Sequence, residues 1–275
     1  MRETHGIADK QVGNFMIREI FEDSFIESGR LIKSYYGRKI LAYYNAYGIK
    51  YNFCRFFELK YGNISGIMLE INSTVVIWNE TELPQDGIHE IIEYVKMVQP
   101  IRVEAPWHIM KYLGNVDGYI PLTRTLFRYK GMKTKSRIDE ADVTVPKLDT
   151  IYPILSESFP KTQDYGLWIT DMSHRIRRDI TKVWLYKDCT TLTEIYDIDD
   201  HILIGQVATR RDSRGKGFAR NLLSFICEKR KAEGKTLWLF ALDHRVSFYT
   251  GIGFEAVSHE NVIQRSDSLI EHEKR

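Results

Sequence analysis

The sequence predicts an α/β protein in two halves, and three observations predict it. Residues 53–79, FCRFFELKYGNISGIMLEINSTVVIWN, alternate short β-type runs with the turn signals Gly62-Asn63 and Asn72-Ser73, the pattern of an antiparallel meander. Residues 202–242 read strand, glycine-rich loop, helix and strand, which places two strands parallel through a helical crossover. The same order of strand, helix, strand and short helix occurs in both halves without sequence identity: 74–78, 88–98, 101–104 and WHIMKYLG in the first, 202–209, 218–233, 236–242 and 245–250 in the second.

Composition agrees with a soluble globular chain. Its 275 residues suffice for two ordinary domains or one large one, and 43% hydrophobic with 28% charged residues is not the balance of a disordered or fibrous protein. A net charge of +2 excludes a broad electrostatic footprint for nucleic acid or a membrane surface. The three cysteines, Cys54, Cys189 and Cys227, are far apart and odd in number, with no metal-type spacing, and read as reduced thiols of a cytosolic protein. The first residues, MRETHGIADKQVGNFM, are not a secretory signal, and no apolar run approaches the ~20 residues of a membrane helix. The expected compartment is the cytoplasm.

Taken in order, residues 14–46 space Phe15, Ile17, Ile20, Phe21 and Phe25 at helical intervals and predict one or two amphipathic helices. The meander follows. GIHEIIEYVKMV then puts Ile88, Ile91, Ile92, Val95 and Val98 on one helical face. Pro100–Glu104 reads as a strand, WHIMKYLG as a short helix and YIPLTRTLFRYKG as a closing strand. Polar and charged residues over 130–142 mark a linker, so the expected units are 1–135 and 136–275. In the second unit, VTVPKLDTIYPILSESFP predicts a strand leading into a helix, and LWITDMSHRIRRDI a second helix. TKVWLYKD and TTLTEIYDIDD predict two strands before the opening strand of the crossover. The helix 218–233 carries the core stripe Leu222, Leu223, Phe225 and Ile226, and Gly234 stands at its C-terminal end.

Chemistry concentrates in ILIGQVATRRDSRGKGFA, residues 202–219. Arg210, Arg211, Arg214 and Lys216 surround Gly215 and Gly217, and Arg220 lies in the first turn of the following helix. A helix N-terminus exposes unpaired N–H groups and about half a positive charge, and glycines let a phosphate approach them. The segment therefore calls for an anion. A P-loop would need Gly-x4-Gly-Lys-Ser/Thr, which is absent, and a dinucleotide fingerprint would need a small residue where Arg220 stands.

Arg214-Gly215-Lys216-Gly217-Phe218-Ala219 fits the pattern Arg/Gln-x-x-Gly-x-Gly/Ala. It follows a strand ending Gln206-Val207-Ala208-Thr209. With the downstream Ser247-Phe248-Tyr249-Thr250-Gly251-Ile252-Gly253-Phe254, residues 140–260 resemble the GNAT superfamily of N-acetyltransferases. By element order the first half resembles a degenerate copy of that fold, as in tandem members. The resemblance implies a mixed, mostly antiparallel sheet with helices on both faces, and an acetyl-CoA-dependent transfer of acetyl directly to an amine.

Acetyl-CoA would be the co-substrate, its pyrophosphate held by backbone N–H groups from Arg214 to Ala219 (Arg214, Gly215, Lys216, Gly217, Phe218, Ala219) with Arg220 beside them. The pantetheine arm would run along Val207, Ala208 and Thr209, and the thioester carbonyl would meet the Val207 N–H as an oxyanion-type contact. Tyr249 matches the tyrosine that protonates the departing thiolate; a phenol of pKa ~10 donating to a thiolate of pKa ~8.5 needs only modest help from a site. Glu194, on the strand before the opening one, stands where family members often carry a carboxylate base. Asp243 and His244, just after the second parallel strand, are its rivals, and Asp243 stands where many relatives have asparagine.

The acceptor is a small-molecule or peptide amine that nothing in the chain chooses. The N-terminal half would shape the acceptor pocket or supply a homodimer contact. NETELPQDG, its counterpart of the glycine loop, lacks Arg-Gly-x-Gly, so one site per chain is expected. Two rival readings remain: an acetyl-CoA-binding sensor or scaffold without transfer, and an enzyme of another nucleotide. Asp197, Asp199 and Asp200 read as a solvated hairpin rather than a metal site, and Arg175, Arg177 and Arg178 as a charged solvent face.

Overall fold

The computed structural model of the chain describes residues 16–22, 28–62, 64–132, 138–159 and 164–268. The helical expectation for 14–46 fails at its start. Met16–Glu19 forms strand β1, antiparallel to β2 (Cys54–Tyr61) from Met16↔Lys60 to Glu19↔Phe57. Four residues do not distinguish a helical from a strand period, and the open edge of β2 decides the matter by offering a ladder. Ile20 is buried and Phe21 exposed, while Phe15 and Phe25 lie outside the described residues. Helices begin later, as α1 (Ser28–Leu31) and α2 (Tyr35–Tyr47); the Ser34 hydroxyl caps α2 by accepting the Gly37 N–H at 2.9 Å.

The meander forms as expected: β2, β3 (Ile64–Ile71) and β4 (Thr74–Asn79) pair antiparallel, the last two joined by the Asn72-Ser73 turn, where Asn72 takes a φ of 51°, while Asn63 of the Gly62-Asn63 signal lies outside the described residues. There follow α3 (Gln85–Val98), β5 (Arg102–Glu104), α4 (Trp107–Leu113) and β6 (Tyr119–Tyr129). The second half runs β7 (Val143–Thr144), α5 (Leu148–Ser158), α6 (Tyr165–Arg177), β8 (Lys182–Tyr186), β9 (Thr190–Ile198) and β10 (His201–Thr209). It closes with α7 (Phe218–Ala232), β11 (Thr236–Ala241), α8 (Val246–Thr250) and β12 (Phe254–Arg265).

Among the described residues, twelve strands join one sheet in the order β1-β2-β3-β4-β5-β12-β6-β11-β10-β9-β8-β7. Only β4 with β5 and β10 with β11 are parallel, each pair bridged by its crossover helix, as the repeated element order requires. The two halves exchange their last strands: β12 lies against β5, and β6 against β11. β12 and β6 pair with each other from Phe254↔Tyr129 to Arg265↔Tyr119, so the longest ladder of the molecule crosses between the halves.

Alternation along the strands feeds two helical layers. Phe57, Met68, Val75 and Ile77 meet α3 and α4, while Leu192, Ile204, Leu237 and Leu239 meet α7, on one face. On the other, Phe56, Leu69, Val76 and Trp78 share a core with α2, and so do Tyr196, Ile198 and Leu203 of β9 and β10. The same face carries Val183, Leu185 and Ala208 under α5 and α6. Helix α2 of the first half is thus packed against strands of both.

Polar contacts reinforce that wedge. The Tyr47 hydroxyl donates to Asp171 at 2.5 Å, His174 Nε2 lies 2.7 Å from the Ala46 carbonyl, and the Tyr47 and His174 rings stack at 4.6 Å. Arg175 is here rather than on a solvent face. It is buried, its Nη2 donates to Asp171 at 2.7 Å, and its Nη1 reaches Thr181 at 3.1 Å. Arg177 and Arg178 are exposed as expected. Two positions along α6 put these side chains on different faces, and Asp171, one turn earlier on the same helix, compensates the buried guanidinium.

A second polar cluster lies where α2 meets the central strands. Glu104 of β5 accepts from Tyr35 at 2.8 Å and Arg124 at 3.0 Å and pairs with Lys39 at 2.9 Å. Burial alone would raise the Glu104 pKa, but Arg124 and Lys39 hold it well below the usual carboxylate range. The stability this group contributes is present above the ordinary carboxylate pKa and lost as pH falls through the depressed folded value. Glu104→Gln should therefore shorten the acid limb of the pH–stability curve, measured by urea unfolding between pH 3 and 7.

Candidate active site

The cleft originates in a mismatch between two ladders. β10 pairs with β11 only from His201↔Thr236 to Ile204↔Leu239, after which the parallel strands separate. On its other edge β10 pairs Gly205 with Thr193 and Ala208 with Thr191, leaving Gln206 and Val207 without partners in the register. This bulge rests on sequence. A Cβ on Gly205 would stand 3.0 Å from Ile195 Cγ1, and Gln206 takes a φ of 50°, a conformation rare for a side chain of its length. Glycine inside a strand is the signal that could have announced the bulge from sequence.

Beyond the separation opens a cleft of about 870 Å³. Ile204–Thr209 form one wall and Leu239–Leu242 the other. The loop residues Arg214, Gly215 and Gly217 and the first turn of α7, Phe218, Ala219 and Arg220, close one end. Phe248 and Tyr249 of α8 and Glu157–Phe159 at the end of α5 complete the lining.

The loop supplies an anion cradle. Gly215 and Gly217 have φ of 77° and 78°, and nothing lies within 4 Å of where a Cβ would stand on either. Gly217 is the N-cap of α7 and provides no side chain to satisfy the first-turn N–H groups, which stay available to a ligand. Lys229, Arg230 and Lys231 in the last turn complement the other end of the helix dipole. Arg214 is held in place by donating from Nε to the Thr209 carbonyl and from Nη2 to Ser158, both at 3.0 Å. Arg220 donates to the Gly251 carbonyl at 2.8 Å and sits over the Phe248 ring at 5.9 Å. Lys216 is exposed on the loop and is not a wall residue.

Val207, Ala208 and Thr209 line the cleft, and Gln206 and Val207 are the residues that the bulge leaves out of the β9 register. Tyr249 also reaches the cleft. Its ring lies 6.0 Å from Phe127, 5.1 Å from Phe248 and 6.0 Å from Phe254, so it packs on the core and faces the cavity at once. Burial raises its phenol pKa, and Arg245 opposes that shift.

Glu194 is not brought to the cleft. It points to the opposite layer, 1% exposed, where Arg230 Nε and Nη2 donate to its two oxygens at 2.8 and 2.9 Å and Trp184 Nε1 donates at 2.8 Å. Parity explains this: Thr193 shares its face with Val183, under α5 and α6, so its neighbour Glu194 faces α7. Expected as the base, Glu194 is placed instead with both oxygens engaged, outside the cleft lining, as a structural partner of Arg230. Of the two rivals, His244 lines the cleft, whereas Asp243 is exposed outside it.

The acidic turn Asp197–Asp200 binds an internal cation. Lys235 Nζ lies 3.0 Å from Asp197 and 3.0 Å from Asp200. In the first half, the ground beside β4 and β5 is occupied by buried Leu83, Ala105, Ile109 and Met110, and α3 starts from Pro84 without a glycine loop.

Residues 157–266 match the family model described as an acetyltransferase (GNAT) domain. No curated protein sequence matches the chain. Among solved structures, a GCN5-related N-acetyltransferase from Sphaerobacter thermophilus superposes with a TM-score of 0.61 at 16% identity, covering 91% of this chain and 95% of that one. A GNAT-family acetyltransferase from Colwellia psychrerythraea gives 0.55 at 13%, covering 90% and 98%. A tandem GNAT protein from the clavulanic acid biosynthesis pathway gives 0.59 at 7%, covering 90% and 97%. At these identities the structures attest to the fold, which extends over nearly the whole chain. The split β10–β11 pair and the glycine cradle fall within the one segment, residues 157–266, that is similar to the acetyltransferase (GNAT) domain.

Proposed function

We propose that the protein binds acetyl-CoA in the β10–β11 cleft and transfers the acetyl group directly to an amine. One observation carries the reading: an uncapped helix N-terminus with two open left-handed glycines stands at the end of a strand whose bulge frees Val207. The residues present fit the co-substrate. The first-turn N–H groups of α7, with Arg214, Lys216 and Arg220 around them, suit a pyrophosphate, and the strand from Val207 to Thr209, unpaired on its β11 side, suits the amides of a pantetheine arm.

Acetyl-CoA supplies an activated thioester carbonyl. The Val207 N–H is available to stabilise charge developing on its oxygen, and Tyr249 to protonate the leaving sulfur. The nitrogen–carbon bond forms as the carbon–sulfur bond breaks, the thiolate takes the tyrosine proton, and the amine proton leaves to solvent or to His244. An amine held beside the thioester needs no covalent enzyme intermediate.

In this reading residues 136–275 are the catalytic unit. Residues 1–135 are a degenerate copy that contributes α2 to the face from which an acceptor approaches, and β6 to the centre of the sheet. Three free, buried thiols suit a cytoplasmic protein.

Isothermal titration with acetyl-CoA, ATP and NAD tests the donor: saturable binding of acetyl-CoA alone is expected, and its absence would end the reading. Release of free CoA in an amine screen tests transfer. Gly217→Ala should weaken acetyl-CoA about tenfold, because alanine at a φ of 78° costs about 1 kcal/mol and distorts the cradle. Global stability should change by no more than that strain, since the added methyl meets no neighbour.

A further inference from the structure

Beside the position given to the thioester, the structure holds polar atoms that the proposed chemistry does not use. Gln206 lines the cleft from within the bulge, and its Oε1 is buried without a hydrogen-bond partner. Across the ladder on β9, the residues flanking the bulge are Thr193, opposite Gly205, and Thr191, opposite Ala208. Both threonines are fully buried, and both hydroxyls also lack partners. Buried polar atoms nearly always find a partner, so three unpartnered oxygens on adjacent strands are a departure that asks for one. The surroundings make the departure sharper: Val183, Leu185 and Ala208 around the threonines are apolar.

We propose that Gln206, the one of these groups that lines the cleft, forms the subsite that positions the nitrogen of the acceptor amine. The inference rests on the acetyl-CoA reading above. An amide oxygen only accepts hydrogen bonds, which matches the N–H groups of a primary amine. It is neutral, and holds a nitrogen through its N–H groups without the charge attraction by which a carboxylate would keep it protonated and unreactive. Gln206 adopts its left-handed backbone where a glycine would be easier, and the strain holds its side chain at the one point where β10 has left both ladders. It is a positioning residue, since an amide does not titrate.

Two CoA thioethers test this without knowledge of the natural acceptor. S-aminoethyl-CoA carries an amine where isosteric S-propyl-CoA carries a methyl group. Wild-type protein should bind the amine at least about tenfold more tightly, the value of a hydrogen bond to a charged group. In Gln206→Met the preference should fall to about one with S-propyl-CoA affinity unchanged. Gln206→Glu, of the same shape, should increase the preference and add an ionisation to its pH profile. A wild-type preference of one, or a preference unaltered in Gln206→Met and Gln206→Glu, would overturn the subsite while leaving the acetyl-CoA site standing. Failure of both thioethers to bind would overturn the subsite and the acetyl-CoA reading together.

Discussion

Replacing Glu194 by alanine should lower global stability by about 3–5 kcal/mol, because the substitution leaves the Arg230 guanidinium buried without its main partner. The pair is well shielded, Glu194 being 1% and Arg230 8% exposed. Burial alone would lower the Arg230 pKa; Glu194 and Glu233 instead hold it above the ordinary guanidinium range, so the charge persists and must be compensated. Trp184 Nε1 would lose its acceptor as well. Urea unfolding measures the effect, and acetyl-CoA titration of the protein that remains folded should give near-wild-type affinity. The opposite pattern, unchanged stability with lost transfer, would restore Glu194 to the chemistry. Replacing Glu194 and Arg230 together by apolar residues should cost less than either single change, since no charge is then left uncompensated.

Tyr249→Phe should reduce turnover about a hundredfold, the low end of what a positioned general acid contributes, while acetyl-CoA affinity stays within about twofold. The ring contacts with Phe127, Phe248 and Phe254 survive the change, so stability should move little. The pH profile separates acid catalysis from packing. Burial raises the phenol pKa above its ordinary value of ~10, with Arg245 opposing, so the protonated donor is fully present at neutral pH. An alkaline loss of turnover should begin only above pH ~10 in the wild type and be absent from the phenylalanine variant. Equal turnover in the two proteins would favour a binding role for the cleft without transfer.

Much of the fold is readable where a local period is long or a turn residue decisive. Ile88, Ile91 and Val95 mark α3, Asn72 the β3–β4 turn, and Gly215 and Gly217 the cradle, because each rests on backbone or helical geometry within a few residues. The failures share a different cause. Ile17 and Ile20 fit a helix as well as a strand over so short a stretch, and the edge of β2, far along the chain, settled the choice. Arg175 looks like a surface charge until Asp171, Thr181 and Tyr47 gather around it. Glu194 looks like a base on a strand near the cleft until strand parity turns it toward Arg230. Parity depends on the bulges between Leu203 and Ile204 and between Gly205 and Ala208, which pairing creates and local sequence barely records.

By itself, then, the amino-acid sequence determined the parts that rest on their own backbone: the glycine loop at the start of α7 and the apolar parallel strands on either side of it. Tertiary structure alone decided which side chains face the cleft, that β6 and β12 change places between the halves, and that Gln206 stands with a buried, unpartnered oxygen beside Val207. The division has a physical reason. Backbone conformation is governed by sterics a few residues in range, whereas the facing of a side chain depends on the register of strands far apart in the chain, and one unmatched residue reverses it.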